Sequence, residues 1–236
     1  MIYLTGDTHG DFERIAEFCV RHSTSKDDIL IILGDAGFNY HGGLTDHKKK
    51  MYVSLLPITL LCIHGNHEQR PSSIPSYFEH EWRGGIVYRE EMYPDILFAK
   101  DGEIYELDGV RALAIGGAYS VDKWHRLANR AKWWYDEQPT LAIREYVQAQ
   151  LEKSAWQVDV VLSHTCPVIY EPIEVFLGGI DPRTVDKSTE IWLGKIEERL
   201  NYKKWFCGHF HTNKRDRKLT FLFEQYVALD PERLQE

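Results

Sequence analysis

The sequence lacks the features of membrane-spanning, secreted and disulfide-stabilised proteins. No run approaches the roughly 18 apolar residues of a membrane-spanning helix. No basic stretch precedes an apolar one at the N-terminus, as a secretory signal requires. The four cysteines form no CxxC pair, which argues against a zinc knuckle and a thioredoxin-like redox pair. We therefore expect a soluble, cytoplasmic protein whose thiols are reduced and buried.

Linker sequences and positive charge are also scarce. The 236 residues contain no repeat and no long Pro-, Gly- or Ser-rich stretch, so we expect a single domain over residues 1–236. The 28 Lys and Arg are outnumbered by 36 Asp and Glu, for a net charge of −8. This charge argues against an extended nucleic-acid surface, although a local site could still bind phosphate.

The sequence does contain a regular alternation of short apolar runs and helical patterns. Six β-branched, apolar runs have the length of buried strands, at residues 2–4, 29–33, 58–63, 110–115, 158–162 and 205–206. Helical spacing of apolar residues follows Asp11, Thr140 and Ser188 or Thr189, which are candidate N-caps. The alternation is typical of an α/β protein with largely covered sheets.

Polar side chains that can bind metal follow five of these runs. They stand in Asp7-Thr8-His9-Gly10, Gly34-Asp35, Gly65-Asn66-His67-Glu68, Ser163-His164 and Gly208-His209-Phe210-His211. Ligands of open α/β sheets bind at the carboxyl ends of the strands, so the five clusters can converge on one crevice. Oxygen and nitrogen ligands without cysteine favour ions such as Mn, Fe or Zn over Ca or Mg. Seven candidate ligands are too many for one tetrahedral site, which points to two ions with a bridging ligand. They are Asp7, His9, Asp35, Asn66, His164, His209 and His211.

These five blocks resemble the signature of calcineurin-like metallophosphoesterases: Asp-x-His, Gly-Asp, Gly-Asn-His-Glu, a single His and Gly-His-x-His. They occur in the family's order and cover roughly residues 1–70 and 158–212. The resemblance implies an α/β fold with four layers, an α/β/β/α sandwich of two mixed sheets flanked by helices. It also implies hydrolysis of a phosphomonoester or phosphodiester by a hydroxide that bridges two divalent ions, with Mn expected first and Fe, Zn or Ni as alternatives.

The resemblance further implies a role for each motif residue. The first ion would be held by Asp7, His9, Asp35 and His211. The second would be held by Asp35, Asn66, His164 and His209, with Asp35 as the bridge. His67 would be the general acid that protonates the leaving oxygen. Glu68 would either orient His67 or a ligand through a hydrogen bond, or remain a solvated surface carboxylate.

Two departures separate the chain from the Ser/Thr protein phosphatase branch, although Gly10 and Asp11 extend the first block to the form seen there. Asp35 is followed by Ala-Gly-Phe-Asn-Tyr instead of Val-Asp-Arg-Gly. His64 stands where that branch usually has Arg. Because the phosphate-gripping arginines are missing from these places, a small phosphate ester or a nucleotide is a better candidate substrate than a phosphoprotein.

Residues 71–157 carry no family motif. The turn pairs Asp101-Gly102 and Asp108-Gly109 predict a strand meander between residues 97 and 115, followed by a substrate-side lid. Candidate substrate contacts are Arg70, Tyr119, Lys123 and Arg126. The aromatic residues 133–135 would either stack on a nucleobase or pack on the sheet as a hydrophobic lid. The basic cluster at residues 47–50 is expected to form a solvated helix face.

Two other functions stay open at this point. One is a nucleotide or nucleic-acid phosphodiesterase, with the aromatic segment stacked on bases. The other is a metal-binding interaction scaffold without turnover. The net charge argues against an extended nucleic-acid surface, and the complete ligand set with His67 argues against the scaffold.

Overall fold

The computed structural model describes residues 1–176, 178 and 180–235 and consists of two mixed β-sheets with helices outside them. The strands are β1 (Ile2–Thr5), β2 (Ile29–Ile32), β3 (Thr59–Cys62), β4 (Tyr77–Trp82), β5 (Gly85–Glu90), β6 (Tyr93–Ala99), β7 (Ile104–Leu107), β8 (Val110–Ile115), β9 (Val160–Ser163), β10 (Lys204–Cys207), β11 (Lys214–Asp216), β12 (Leu219–Phe221) and β13 (Val227–Ala228). The helices are α1 (Glu13–His22), α2 (Gly43–Ser54), α3 (Lys123–Ala128), α4 (Leu141–Lys153) and α5 (Ser188–Glu197). All six predicted runs are strands.

Each sheet has a parallel centre. The first sheet has the order β13-β1-β2-β3-β6-β5-β4, with β1, β2, β3 and β6 parallel. The second has the order β11-β12-β10-β9-β8-β7, with β12, β10, β9 and β8 parallel. Parallel strands end at the same edge of their sheet, so the polar loops after β1, β2 and β3 lie together, as do those after β9 and β10.

The alternation of side chains along the strands builds three cores. In β2, Ile29 and Ile31 face the core between the two sheets, whereas Leu30 and Ile32 face α1. In the second sheet, Val161 faces the outer core under α4 and α5. Strands buried on both faces read as continuous apolar runs, which explains why they were visible in the sequence. The expected α/β/β/α sandwich is confirmed.

One of the three predicted N-caps agrees with the structure and two do not. The Thr140 hydroxyl accepts a hydrogen bond from the Ile143 N–H at 3.4 Å and caps α4. The second prediction is wrong by one residue: Phe12 is the N-cap of α1, and the Asp11 carboxylate before it accepts from the Arg14 N–H at 3.3 Å. The third prediction is wrong because α5 already includes Ser188, whose N–H donates to the Asp186 carboxylate at 2.9 Å.

The predicted meander between residues 97 and 115 is wrong in its pairing. Its first run belongs to β6 in the first sheet, whereas β7 and β8 form a hairpin in the second. The chain crosses between the sheets at Asp101 and Gly102. Asp101 is buried and accepts from the Gly116 N–H at 2.5 Å, while the Gly102 N–H donates to the Ala114 carbonyl at 2.8 Å. These contacts fix the crossing against β8.

The expectation of a solvated face at residues 47–50 is wrong for one lysine. Lys48 is exposed, but Lys50 is only 5% exposed and pairs with Glu90 at 2.5 Å. Its ammonium also lies 4.7 Å from the centre of the Tyr77 ring. Lys50 therefore fastens α2 to the first sheet. None of the helices in the described part of the chain is long and apolar enough to cross a membrane.

Candidate metal centre

The loops after β1, β2, β3, β9 and β10 place the predicted ligands together. Three groups of side chains have ligand atoms within 4.8 Å of one another: Asp7, His9 and His211; His9, Asp35 and His67; and Asp7, Asp35 and His164. Asp7 and Asp35 are 1% and 2% exposed, and His164 is fully buried. Carboxylates buried this deeply need a compensating positive charge.

The first group surrounds Asp7 at the end of β1. The Nε2 atoms of His9 and His211 lie 2.9 Å apart, and Oδ2 of Asp7 is 3.3 Å from Nε2 of His211. This Oδ2 atom is buried and has no hydrogen-bond partner among the described residues. Burial opposes ionisation of Asp7, but His164, His211 and His9 outweigh it and hold the pKa of Asp7 below its ordinary value. An ionised, unpartnered oxygen facing two imidazole nitrogens fits a metal ion.

The third group, Asp7, Asp35 and His164, joins the two sheets. Nδ1 of His164 donates to the Leu33 carbonyl at 2.8 Å, which leaves Nε2 directed at Oδ1 of Asn66, also at 2.8 Å. Nε2 of His164 lies 3.8 Å from Oδ2 of Asp35. The backbone contact fixes the tautomer of the imidazole and presents a lone pair, as second partners of metal-binding histidines do.

Asp35 and His209 lie close to the other predicted ligands, and the bridging role of Asp35 stays a prediction. Asp35 belongs to two of the three groups, and its Oδ1 atom accepts from the His67 N–H at 2.8 Å. His209 lies outside the three groups, but its ring is 4.9 Å from that of His164. Burial lowers the pKa of His209 well below its ordinary value, which favours the neutral imidazole that binds metal.

Glycines stand beside the ligands because ligand atoms occupy the space of a side chain. A Cβ atom at Gly65 would lie 2.0 Å from Oδ1 of Asp35. A Cβ atom at Gly208 would lie 2.2 Å from Oδ1 of Asp7. Both distances are far below van der Waals contact, and backbone atoms of Asp35 and Leu33 lie within 2.7 Å of the same two Cβ positions. A side chain at either position would therefore force the neighbouring loop to move.

Backbone strain is concentrated at the same place. Four of the seven predicted ligands have a left-handed backbone: His9 (φ 47°), Asp35 (φ 48°), His209 (φ 67°) and His211 (φ 47°). Such conformations cost of order 1 kcal/mol each in residues with a Cβ and persist where the surroundings impose them. Hydrogen bonds impose them here: the His9 N–H donates to the Asp35 carbonyl at 2.8 Å, and the His209 N–H donates to Oδ1 of Asp7 at 2.9 Å.

His67 lies at the mouth of the centre against a cation. The Arg126 guanidinium contacts the His67 ring and is itself held by Asp122 at 2.7 Å. Burial lowers the pKa of His67, Asp35 opposes this, and Arg126 adds to the lowering. Glu68 is fully buried and accepts from the Gly65 N–H at 2.7 Å, so the solvated alternative for this residue is wrong.

A buried network behind Asn66 was not visible in the sequence. Nδ2 of Asn66 donates to the Ser120 hydroxyl at 2.9 Å, and that hydroxyl donates to Glu137 at 2.6 Å. The Ser120 N–H donates to the other Glu137 oxygen at 3.1 Å. Burial raises the pKa of Glu137. The network turns the Asn66 oxygen toward His164. Ser120 could have been suspected because it follows β8, but nothing local marks Glu137.

The candidate substrate residues divide between two cavities. Tyr119 lines a cavity of about 450 Å³ that also contains Asp35, Asn66 and His67. Arg70 lines a separate cavity of about 190 Å³. Its guanidinium donates to Asp101 at 2.6 Å and to the Asp136 carbonyl at 2.7 Å. The expected reach of Arg70 into the catalytic crevice is therefore wrong, because these partners hold it behind the crevice.

The remaining aromatic and basic candidates lie outside the large cavity. Lys123 places its ammonium 4.3 Å from the centre of the Trp133 ring. Residues 133–135 are not among the residues that line the cavity, and Tyr135 is 81% exposed. From the segment after β8, the residues that line the cavity are Tyr119, Val121 and Asp122.

Comparisons with known proteins agree with this geometry. The family of calcineurin-like phosphoesterases matches residues 1–213. The solved structure of TT1561 of Thermus thermophilus aligns with a TM-score of 0.51 and 11% identity, over 94% of this chain and 89% of that chain, and shares its fold. The protein of unknown function AQ665 from Aquifex aeolicus aligns with a TM-score of 0.34 and 19% identity, over 70% and 80% of the two chains, which is too low to bear on the fold. No curated protein matches the chain.

Proposed function

Because the chain belongs to the calcineurin-like phosphoesterase family, we propose that it is a metal-dependent hydrolase of a small phosphate ester or a nucleotide. The observation that carries the proposal is the convergence of Asp7, Asp35 and His164, buried and within 4.8 Å of one another, next to a large cavity that Asp35 lines. A phosphoryl group in that cavity would lie beside Asp35 and the imidazole of His67, which both line it.

The donor set fits two divalent ions. Asp7, His9, Asp35 and His211 would hold one ion, and Asp35, Asn66, His164 and His209 the other. Bound ions would supply Lewis-acid activation of water and charge stabilisation at phosphorus. Mn is the ion we propose first, with Fe, Zn and Ni as alternatives, because imidazole and carboxylate ligands suit all four.

Side chains of the protein position the substrate and donate the proton to the leaving oxygen. We assign to His67 the proton that the leaving oxygen needs, a contribution of about 10²–10⁴-fold for a general acid. Arg126 lies against His67 and is fixed by Asp122. Arg126 is not among the residues that line the cavity, so we assign to it the positioning of His67 and not a direct contact with the phosphate.

The test begins with Asp35→Ala. This variant loses a buried carboxylate that belongs to two ligand groups, so we expect it to lose metal uptake, measured by elemental analysis and calorimetry, together with hydrolysis of aryl phosphates. The matched control is Asp27→Ala, which removes an exposed carboxylate. Full activity of Asp35→Ala would refute the assignment.

His67→Ala tests the proton donor separately. The backbone N–H that donates to Asp35 remains in this variant, so metal uptake should stay close to that of the wild type. Hydrolysis should slow most for poor leaving groups, because these need protonation. Equal slowing across a leaving-group series would contradict the general-acid role.

A screen of Mn, Fe, Zn and Ni against aryl monoesters, aryl diesters, cyclic nucleotides and a phosphopeptide separates the alternatives. Tight metal binding with no hydrolysis of any substrate would favour the interaction scaffold. Activity on the phosphopeptide alone would favour a phosphoprotein substrate.

A further inference from the structure

The large cavity extends beyond the metal centre into a region that the proposed catalytic groups do not use. We call this region the Glu190 pocket, and its walls are Tyr119, Val175, Phe176, Val185, Glu190 and Phe210. The Phe176 and Phe210 rings lie nearly parallel, at 11°, with their centres 6.2 Å apart. Five of these six side chains are apolar or aromatic, as in pockets that bind a flat organic group. The lining of the cavity also includes Glu171 and Lys187.

Glu190 is the exception, and one of its oxygens is unpaired. The residue is in the first turn of α5 and is 5% exposed. Its Oε1 atom accepts from the Thr165 hydroxyl at 2.8 Å. Its Oε2 atom is buried and has no hydrogen-bond partner among the described residues. An acceptor left unpaired in an apolar wall is costly unless a ligand supplies the donor.

The charged residues around Glu190 do not supply that donor. Lys187 also lines the cavity, but its ammonium pairs with Glu171 at 2.6 Å and lies 5.5 Å from the Phe176 ring. Burial raises the pKa of Glu190 to about 7, and Glu171 and Asp186 add to the rise, against the Thr165 hydroxyl. A substantial share of Glu190 is therefore ionised near neutral pH.

We propose that the Glu190 pocket binds the leaving group of the substrate, and that this group is an aromatic body carrying an amino N–H donor for Oε2 of Glu190. The inference rests on the proposed function, because the ester bond must lie at the metal centre while its leaving group reaches the pocket. It narrows the substrate to amino-bearing aryl or nucleoside phosphates. Because Lys187 is paired with Glu171, it offers no free ammonium to an acidic leaving group.

Two pairs of esters test the proposal. Each pair differs in one amino group: 4-aminophenyl against 4-methylphenyl phosphate, and adenosine against purine riboside 5′-phosphate. One hydrogen bond to a charged acceptor predicts at least a tenfold preference in kcat/KM for the amino member of one pair. Glu190→Leu should abolish the preference, and Glu190→Gln, which keeps an oxygen acceptor, should retain part of it. Glu198→Gln, at an exposed position beyond the end of α5, should leave the preference unchanged.

The same substrates distinguish the two proposals. If no metal supports hydrolysis of any of the four esters, of an aryl diester or of a cyclic nucleotide, the proposed function fails. If hydrolysis proceeds without an amino preference in either pair, or if Glu190→Leu keeps the preference, the Glu190 inference alone is overturned.

A binding measurement tests the same inference without hydrolysis of any substrate. Adenosine and purine riboside can be titrated by NMR into chelator-treated wild-type and Glu190→Leu protein, with 4-aminophenol and 4-methylphenol as the smaller pair. We expect tighter binding of the amino compound to the wild type, about tenfold in one pair, and equal binding in the variant. Equal binding to the wild type in both pairs would contradict the inference.

Discussion

At the scale of single residues, the centre depends on the absence of two side chains as much as on its ligands. Gly208 and Gly65 leave the space into which the carboxylates of Asp7 and Asp35 fit. Each glycine comes from a different loop than the carboxylate it accommodates. The first residue of the Gly-Asn-His-Glu and Gly-His-x-His blocks is therefore glycine for a steric reason. A ligand from another strand approaches the backbone closely at each of these positions.

Gly208→Ala should damage the centre without removing a ligand. Its Cβ atom would lie 2.2 Å from Oδ1 of Asp7 and 2.7 Å from the Leu33 carbonyl oxygen, so Asp7 must move. We expect a loss of about 1–3 kcal/mol in the free energy of unfolding and weaker metal binding, both measurable by urea titration and calorimetry. Gly194→Ala, in α5, is the control, since its Cβ atom would meet nothing closer than 3.8 Å. Undiminished metal affinity in Gly208→Ala would show that Asp7 is not a ligand.

Glu190 should also give the protein a measurable pH dependence of stability. Its pKa of about 7 in the folded chain lies above its ordinary value of 4.5. Between these values the folded state binds more protons than the unfolded state, so stability is lost as pH rises through this window. The full difference between the two pKa values corresponds to about 3 kcal/mol in the free energy of unfolding.

Urea unfolding of chelator-treated protein at pH 5 and pH 8 measures this effect. The free energy of unfolding of the wild type should fall, relative to that of Glu190→Gln, between the two pH values. Parallel pH profiles for the two proteins would contradict the assignment of the raised pKa to Glu190.

At the scale of secondary-structure elements, sequence and structure agree where strands are buried on both faces. The core strands β1, β2, β3, β8, β9 and β10 were all predicted. The strands β4 and β5 were missed because half-exposed positions such as Phe78 and Glu79 blur their apolar pattern. For helix α2, the sequence predicted only a basic helix face at residues 47–50. It buries Asp46 and Lys50, so it has no clean apolar stripe to read.

The buried pair of Lys50 and Glu90 should be important for the docking of α2. The two side chains are 6% and 13% exposed, so removal of one partner leaves a largely desolvated charge. We expect Lys50→Ala to lower the free energy of unfolding by about 3 kcal/mol. Lys48→Ala, two residues earlier and exposed, should change it by less than about 0.5 kcal/mol. Equal effects would mean that the pair does not stabilise the helix.

At the scale of the whole molecule, the ligands come from both sheets. Asp7 and Asp35 belong to loops of the first sheet, and His164 and His209 to loops of the second. Convergence of these loops was predictable, because parallel strands end at a common edge. The positions of Arg70, Glu137 and Glu190 were not, since each is set by partners distant in sequence. The single-domain organisation stays a prediction.

Metal should therefore stabilise the folded chain as a whole. At a free ion concentration 100 times the dissociation constant, one site adds about 2.7 kcal/mol, or roughly 5–10 °C in Tm for a chain of this size. Thermal unfolding with Mn and with chelator measures the shift. Asp35→Ala should lose the shift, and Asp27→Ala should retain it. The same shift in both variants would place the ion elsewhere.

The hydrogen bond between the His209 N–H and Asp7 joins residues 202 positions apart, and this has a consequence for the order of events in folding. The ligand set is complete only after both sheets have formed and docked, so ions cannot nucleate the chain. Interactions that are absent from the transition state act on the unfolding rate. Bound metal should thus lengthen the lifetime of the native state and leave the speed of folding nearly unchanged.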